Sequence, residues 1–155
     1  MIKKILVAFD GSEPAHKALD FALELAEKYS SELLLLNVYQ PIIPLFHFPT
    51  MTVMGSPPVI TPVTMAAFSK ELKAQHEKVL LKAVKKVNRD KPNLKVSTML
   101  SEGRPSDKIV EVAKEGKFNL VVMGSRGIGG IKEIFLGSVS DRVADEAQCS
   151  VLIVK

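Results

Sequence analysis

The chain of 155 residues contains a single cysteine and no tryptophan. One cysteine excludes an intramolecular disulfide framework and any zinc site that needs several thiolates, so we expect Cys149 only to fill space beside the last strand. No apolar run approaches the roughly 18 residues of a membrane-spanning helix. The N-terminal residues MIKKILVAFDGS have neither the apolar length nor the cleavage site of a signal peptide. These absences predict a cytoplasmic protein with no membrane partner.

Hydrophobic residues make up 46% of the chain and charged residues 25%. This composition argues against a wholly disordered chain, and the length predicts one domain over residues 1–155. The net charge of +4 is unevenly placed, because residues 70–95 hold nine Lys and Arg against three acids. A nucleic-acid-binding face is one interpretation. The other, which we favour, is the solvated face of an amphipathic helix, because no aromatic residues lie between the lysines to stack on bases.

Strand-like and helix-like segments alternate along the chain. The hydrophobic pattern predicts strands at 2–9, 32–39, 94–100, 118–123 and 150–154, and helices at 13–29, 64–89, 106–115 and 138–147. We expect Ser12 to cap the first helix, Gly116 to end the third in a left-handed conformation, and His76 to be half-buried or on the surface. The alternation predicts an α/β fold, an open five-stranded parallel sheet with helices on both faces. Its ligand site should lie where the strand order reverses, at the strand ends marked by Asp10 and Gly124.

Residues 40–63 interrupt this alternation. Six of the nine prolines lie there, which excludes a regular helix or a central strand. The segment also carries several large apolar residues, so we expect it to fold over the body of the protein or over a partner subunit.

A glycine-rich segment, MGSRGIGGIKEIFLGSVS, runs from Met123 to Ser140. Four glycines follow a predicted buried strand, and Gly137 precedes a predicted helix. Glycine lets the backbone come close to a ligand, and the free N–H groups of a helix N-terminus bind anions. The side chains of Ser138, Ser140, Arg126 and Lys132 could add hydroxyls or charge. The segment therefore predicts a phosphate site, although the glycines could also merely shape a turn.

Three familiar phosphate sites do not fit the spacing. A nucleoside-triphosphatase loop would need Lys where Gly130 stands, and a dinucleotide fingerprint belongs at the first turn, which reads Phe9-Asp10-Gly11-Ser12. A phospho-acceptor domain would need a carboxylate at the end of the third strand, where Met99-Leu100-Ser101 offers none.

The frame Gly124-x2-Gly127-x9-Gly137-Ser138 resembles the nucleotide-binding signature of the universal stress protein family, in its ATP-binding branch. The resemblance covers the whole chain and includes ILVAFDGS, Asn37-Val38 and the Glu102-Gly103-Arg104-Pro105 turn. Only residues 40–63 look variable.

The resemblance implies a role for each matching residue. Asp10 would contact the ribose, Ala8, Phe9 and Val38 would line the adenine pocket through their backbone, and Met123 and Gly124 would border the ribose. Gly127, Gly137, Ser138, Val139 and Ser140 would surround the phosphates, with Mg²⁺ or Mn²⁺ bridging phosphate oxygens. A phosphate contact by Arg126 is our own inference, because that position varies in the family.

We therefore predict an ATP-binding regulatory switch of the stress response, with AMP, ADP or a cyclic nucleotide as alternative ligands. Hydrolysis should be slow at most, because the sequence offers no obvious base to orient water. An authentic ATPase, a nucleotidyl- or phosphotransferase, a nucleic-acid-binding module built on the basic helix 70–91 and a chaperone-like role remain alternatives. The apolar edge strand 150–154 predicts a homodimer, as family members commonly pair these strands.

Overall fold

The computed structural model describes residues 1–41, 62–128 and 136–155, without the side chains of 62–64. Strands and helices alternate along these residues. The strands are β1 Lys4–Ala8, β2 Glu32–Tyr39, β3 Val96–Glu102, β4 Leu120–Gly124 and β5 Ser150–Val154. The helices are α1 Glu13–Tyr29, α2 Pro62–Asp90, α3 Pro105–Glu115 and α4 Ser138–Glu146.

The five strands form one parallel sheet in the order β3-β2-β1-β4-β5. The predicted fold class is therefore confirmed. The chain moves outward from β1 through β2 to β3, and then returns to the other side of β1 with β4. The strand order thus reverses between β1 and β4, where Ala8 lies opposite Met123. Open α/β sheets bind ligands beyond the carboxyl ends of strands at such a point.

Both faces of the sheet are covered. Along β1, Ile5 and Val7 pack with α1 and α2, whereas Leu6 faces α3 and α4 beside Ile109 and Val143. All three β1 side chains are fully buried. Burial on both faces explains why β1 and β4 are continuous apolar runs, since successive side chains of a strand point to opposite sides.

Several element boundaries match the sequence pattern. Helix α1 covers the predicted residues, and Ser12 caps it, because its Oγ accepts the Ala15 N–H at 3.3 Å. Strands β2 and β5 also begin and end as predicted. The other predicted strands are shifted or longer than observed, by one or two residues at each end. Helix α2 begins at Pro62, so the predicted irregular segment 40–63 is shorter than expected, and its residues 42–61 lie outside the described part of the chain.

The prediction of a left-handed cap at Gly116 was wrong. Gly116 has φ −75°, and the left-handed residue is Lys117 with φ +53°. The N–H of Phe118 donates to Ala113 O and that of Lys117 to Lys114 O, which is the Schellman pattern with Lys117 at C′. Glycine is needed at 116 for space, since a Cβ there would lie 2.3 Å from the Phe118 ring.

Across residues 1–41, 62–128 and 136–155, none of the helices combines the length and the apolar character needed to cross a bilayer. The long helix α2 carries exposed lysines along its outer face.

Candidate functional site

A cavity of about 550 Å³ opens beyond the carboxyl ends of β1 and β4. The cavity is lined by all twelve residues that were predicted to bind the nucleotide: Ala8, Phe9, Asp10, Val38, Met123, Gly124, Arg126, Gly127, Gly137, Ser138, Val139 and Ser140. These residues come from three strand ends and from the start of α4. The strand order determines where the cavity lies, because its reversal between β1 and β4 separates the loops that leave these two strands.

Asp10 connects the two sides of this cavity. One of its carboxylate oxygens accepts the Ser12 N–H at 2.9 Å, within its own turn. The other accepts the Ile128 N–H at 3.1 Å, from the loop that follows β4. Each carboxylate oxygen can accept more than one hydrogen bond. The carboxylate therefore holds the loop in place and still has lone pairs for a donor that enters the cavity.

Gly127 passes directly over this carboxylate. A Cβ at position 127 would lie 2.8 Å from Asp10 Oδ2, a separation that real Cβ atoms essentially never show. A side chain at position 127 would therefore displace either the loop or the Asp10 carboxylate. The loop and Asp10 therefore act as one unit.

Helix α4 points its N-terminus into the cavity. Its N-cap is Gly137, and within the described part of the chain no side chain caps this end. The first N–H groups of a helix have no partner within the helix, and the helix dipole adds partial positive charge there. Ser138, the first residue of the helix, is exposed. This end of the cavity is suited to an anion.

The Ser140 hydroxyl is already hydrogen-bonded within the protein. Its Oγ is buried and lies 2.8 Å from Ser125 O and 2.9 Å from Gly137 O. The hydroxyl has one hydrogen, and carbonyl oxygens can only accept, so that hydrogen is used within the protein. Ser125 O also accepts the Gly137 N–H at 2.8 Å. Ser140 thus ties the β4 loop to α4, and Ser138 carries the hydroxyl that is free to face the cavity.

The opposite end of the cavity is formed by β1 and β2. The Phe9 N–H donates to Leu36 O at 2.8 Å, so this N–H is not available to a ligand. Strand β1 ends with Ala8 opposite Leu36, whereas β2 continues to Tyr39. Backbone groups alternate in direction along a strand, so the N–H and C=O of Val38 point to the same side as those of Leu36. These two groups face the space beyond the end of β1. The backbone of Val38 therefore offers one donor and one acceptor to a ligand there.

The sequence analysis missed an apolar wall of the cavity. Its main members are Pro105 and Ile109, one turn apart on α3, together with Leu36 on β2. Ala15, Ile128 and Leu136 also contribute to the lining. A sequence signal for this wall did exist. Pro105 and Ile109 have i, i+4 spacing on α3, and α3 follows a strand whose carboxyl end lies at the same edge of the sheet.

Two sets of predicted residues are not part of this cavity as described. Gly129, Gly130 and Lys132 lie outside the described residues. The basic stretch 70–95 lies on α2 and the turn after it, and Lys86 and Lys91 form ion pairs with Asp20 and Glu27. His76 is half-buried, as expected.

The whole chain matches the model of the universal stress protein family, over residues 1–155. The chain belongs to the universal stress protein family. Among the relatives of this universal stress protein is Universal stress protein YxiE of Bacillus subtilis, which is 36% identical over the full length of both chains. Another is Universal stress protein MJ0531 of Methanocaldococcus jannaschii, 33% identical over all of this chain and 83% of its own.

Solved structures of universal stress proteins share the fold. UspA of Lactobacillus plantarum superposes with a TM-score of 0.78 at 23% identity, covering 99% of this chain and 98% of its own. A universal stress protein in complex with cAMP has a TM-score of 0.68 at 24% identity, with 99% and 97% covered. An Arabidopsis thaliana family protein with AMP bound has a TM-score of 0.66 at 21% identity, with 99% and 91% covered.

Proposed function

We propose that this universal stress protein binds an adenine nucleotide, ATP in the first place, in the cavity between β1 and β4. Occupancy of the cavity would act as a regulatory switch in a cytoplasmic stress response. The observation that carries the proposal is the joint placement of Asp10, Gly127 and the uncapped α4 N-terminus around one 550 Å³ space. Ligand pockets for small molecules are commonly about 300–1,000 Å³.

The phosphates would bind at α4. The N–H groups of Ser138 and Val139, the Ser138 hydroxyl and the loop at Gly127 can converge on an anion there. Arg126 lines the same part of the cavity and supplies a positive charge. The Ser140 hydroxyl, which bonds to Ser125 O, supports this arrangement from behind.

The nucleoside would occupy the other half. The Asp10 carboxylate has lone pairs for ribose hydroxyls, as acidic residues do in dinucleotide-binding folds. The backbone of Val38 offers a donor and an acceptor to the edge of the base, and Pro105 and Ile109 provide an apolar surface for its face. The AMP and cAMP complexes of two structural relatives agree with an adenine ligand.

A divalent ion would be held through the nucleotide. Within the described residues, no group of three or more His, Cys, Asp or Glu is placed to bind a metal. Mg²⁺ or Mn²⁺ would therefore reach the site on phosphate oxygens, where it would neutralise charge. Among the described residues that line the cavity, Asp10 is the one with a carboxylate. Both of its oxygens accept backbone N–H groups. Because the Asp10 carboxylate is engaged in these hydrogen bonds, we expect it to be a poor base for activating water, and hydrolysis to be slow at most.

We also propose that two copies pair through β5. This strand lies at the edge of the sheet and is bonded to β4 on its inner side. Val151, Leu152 and Ile153 are only half-buried. An apolar edge strand favours pairing with another chain, and a two-fold axis would bring the two β5 strands together.

The proposal can be tested by calorimetry with ATP, ADP, AMP, cAMP and GTP at a fixed Mg²⁺ concentration. We expect saturable one-to-one binding of ATP, weaker binding of AMP because it lacks the outer phosphates, and discrimination against GTP. Chromatography of the supernatant after denaturation would show whether the purified protein carries a nucleotide. An absence of binding to all five compounds would contradict the proposal.

An enzyme would be recognised by turnover. Metal-dependent phosphate release should be compared between the wild type and Gly127→Ala at saturating ATP. Release that is fast and lost in the variant would establish an ATPase in place of a switch. Release near the uncatalysed background in both proteins is the expected result.

A further inference from the structure

A chain of polar contacts connects α2 to the end of β1, behind the cavity. The side chain of Asn37 on β2 is 1% exposed. Its Nδ2 donates to Phe9 O at 2.8 Å, and its Oδ1 lies 2.7 Å from His76 Nδ1 on α2. The residue that follows Phe9 is Asp10. The contacts therefore hold the peptide that carries the predicted ribose ligand.

The proton positions in this chain follow from elementary chemistry. A carbonyl oxygen can only accept, so the amide nitrogen of Asn37 must face Phe9 O. Asn37 then presents its oxygen to His76, and Nδ1 of His76 must carry a hydrogen. That hydrogen is present in both the neutral and the charged ring. Protonation at Nε2 therefore adds charge without breaking the bond to Asn37.

The surroundings of His76 combine burial with nearby acids. Burial lowers the pKa of His76 from its ordinary value of 6.5, and the Asp10 carboxylate opposes this shift. The His76 ring lies 5.5 Å from the Tyr39 ring, and the Tyr39 hydroxyl donates to Glu102 on β3 at 3.0 Å. Glu77 is the neighbouring acid on α2, and from α1 the His16 ring packs on Phe9 at 5.0 Å.

We propose that Asn37 and His76 are positioning residues of the nucleotide site, and that ATP affinity depends on the protonation of His76. This inference rests on the proposed function. Asn37 holds the Phe9–Asp10 peptide, and the bond from His76 fixes the orientation of Asn37. A bound nucleotide adds several negative charges near Asp10, which favours the charged imidazole.

The sign of the effect follows from linkage. If bound ATP stabilises the protonated ring, binding takes up a proton and raises the pKa of His76. Affinity then increases as the pH falls through the range below 6.5, where the ring of the free protein titrates. We expect the protonated form to bind ATP about three-fold more tightly than the neutral form, the size of effect usual for a partly solvated pair of charges.

The titration is measured by NMR on the imidazole signals of the full chain, with and without saturating Mg·ATP. Calorimetry at several pH values, in buffers of different ionisation enthalpy, counts the protons taken up. In His76→Gln the new side chain is neutral and can still donate to Asn37. The difference in proton uptake between wild type and this variant therefore excludes the protons taken up by ATP itself. His16→Gln is the matched control, because His16 contacts Phe9 without bonding to Asn37.

We expect the pKa of His76 to rise with ATP and the extra proton uptake to vanish in His76→Gln but not in His16→Gln. At pH 8, His76→Leu should bind ATP about three- to ten-fold more weakly, because it leaves Asn37 Oδ1 buried without a donor, and His76→Gln should recover most of that loss. The inference is overturned if ATP binds while the titration of His76 stays unchanged, or if the Leu variant binds like wild type. A wild-type protein that does not bind ATP would instead refute the proposed function.

Discussion

Replacing Asp10 by Asn keeps the size of the side chain and removes its charge. In the structure the carboxylate accepts N–H groups from Ser12 at 2.9 Å and from Ile128 at 3.1 Å. An amide has only one oxygen, so its NH₂ group must face one of these two donors. The lost bond had a charged acceptor, so its loss costs about 1.5–3 kcal/mol of folding free energy, or roughly 3–12 degrees in Tm for a chain of this size.

The effect on ATP binding should have a sign that shows whether Asp10 contacts the ribose. A hydrogen bond to a charged acceptor contributes about 1.5–3 kcal/mol, so losing the ribose contact should weaken ATP binding about 10- to 150-fold. If Asp10 did not touch the ribose, removing a negative charge near the phosphates would instead strengthen binding. Calorimetry at fixed Mg²⁺ distinguishes the two signs.

The control for this variant is Asp20→Asn. Asp20 is an exposed acid of α1 that pairs with Lys86 at 3.1 Å, away from the lining of the cavity. We expect its ATP affinity to stay within two-fold of wild type, as is usual for an exposed ion pair of about 0–1 kcal/mol. An Asp10→Asn protein that is folded and binds ATP as tightly as wild type, or more tightly, would refute the ribose assignment.

Three further predictions concern the loop, the edge strand and a helix end. Gly127→Ala places a Cβ 2.8 Å from Asp10 Oδ2 and should weaken ATP binding at least about ten-fold by calorimetry, because either the loop or the Asp10 carboxylate must move; unchanged affinity would remove the loop from the site. Ile153→Pro removes an N–H that faces away from β4, since Val154 O accepts the Ser125 N–H and the direction alternates along β5; it should convert a dimer into a monomer in light scattering, whereas a wild type that is already monomeric would contradict the dimer. Lys117→Gly relieves a left-handed residue and should stabilise the protein by about 0.5–1 kcal/mol in urea unfolding, and a destabilised variant would contradict the cap.

The fold could be predicted because local signals and topology agree. The apolar run of β2 and the Ser12 cap mark their elements directly. The switch-point rule then places the ends of β1 and β4 at one edge, which brings Asp10 and Gly124 together. The resemblance to the universal stress protein family supplied the individual roles of the site residues.

What the sequence could not show depends on contacts between distant residues. The bond between Asp10 and Ile128 joins positions 118 residues apart, and the Asn37–His76 contact joins positions 39 apart. No local pattern reveals either. The error at Gly116 has a local origin instead, because the ring of Phe118, two residues later, folds back over Gly116.

A crystal structure of the protein with Mg·ATP tests the nucleotide site most directly. We expect phosphate oxygens within hydrogen-bonding distance of the N–H groups of Ser138 and Val139, and ribose hydroxyls on the carboxylate of Asp10. ATP bound with its phosphates away from α4, or a cavity that stays empty at saturating ATP, would contradict this prediction.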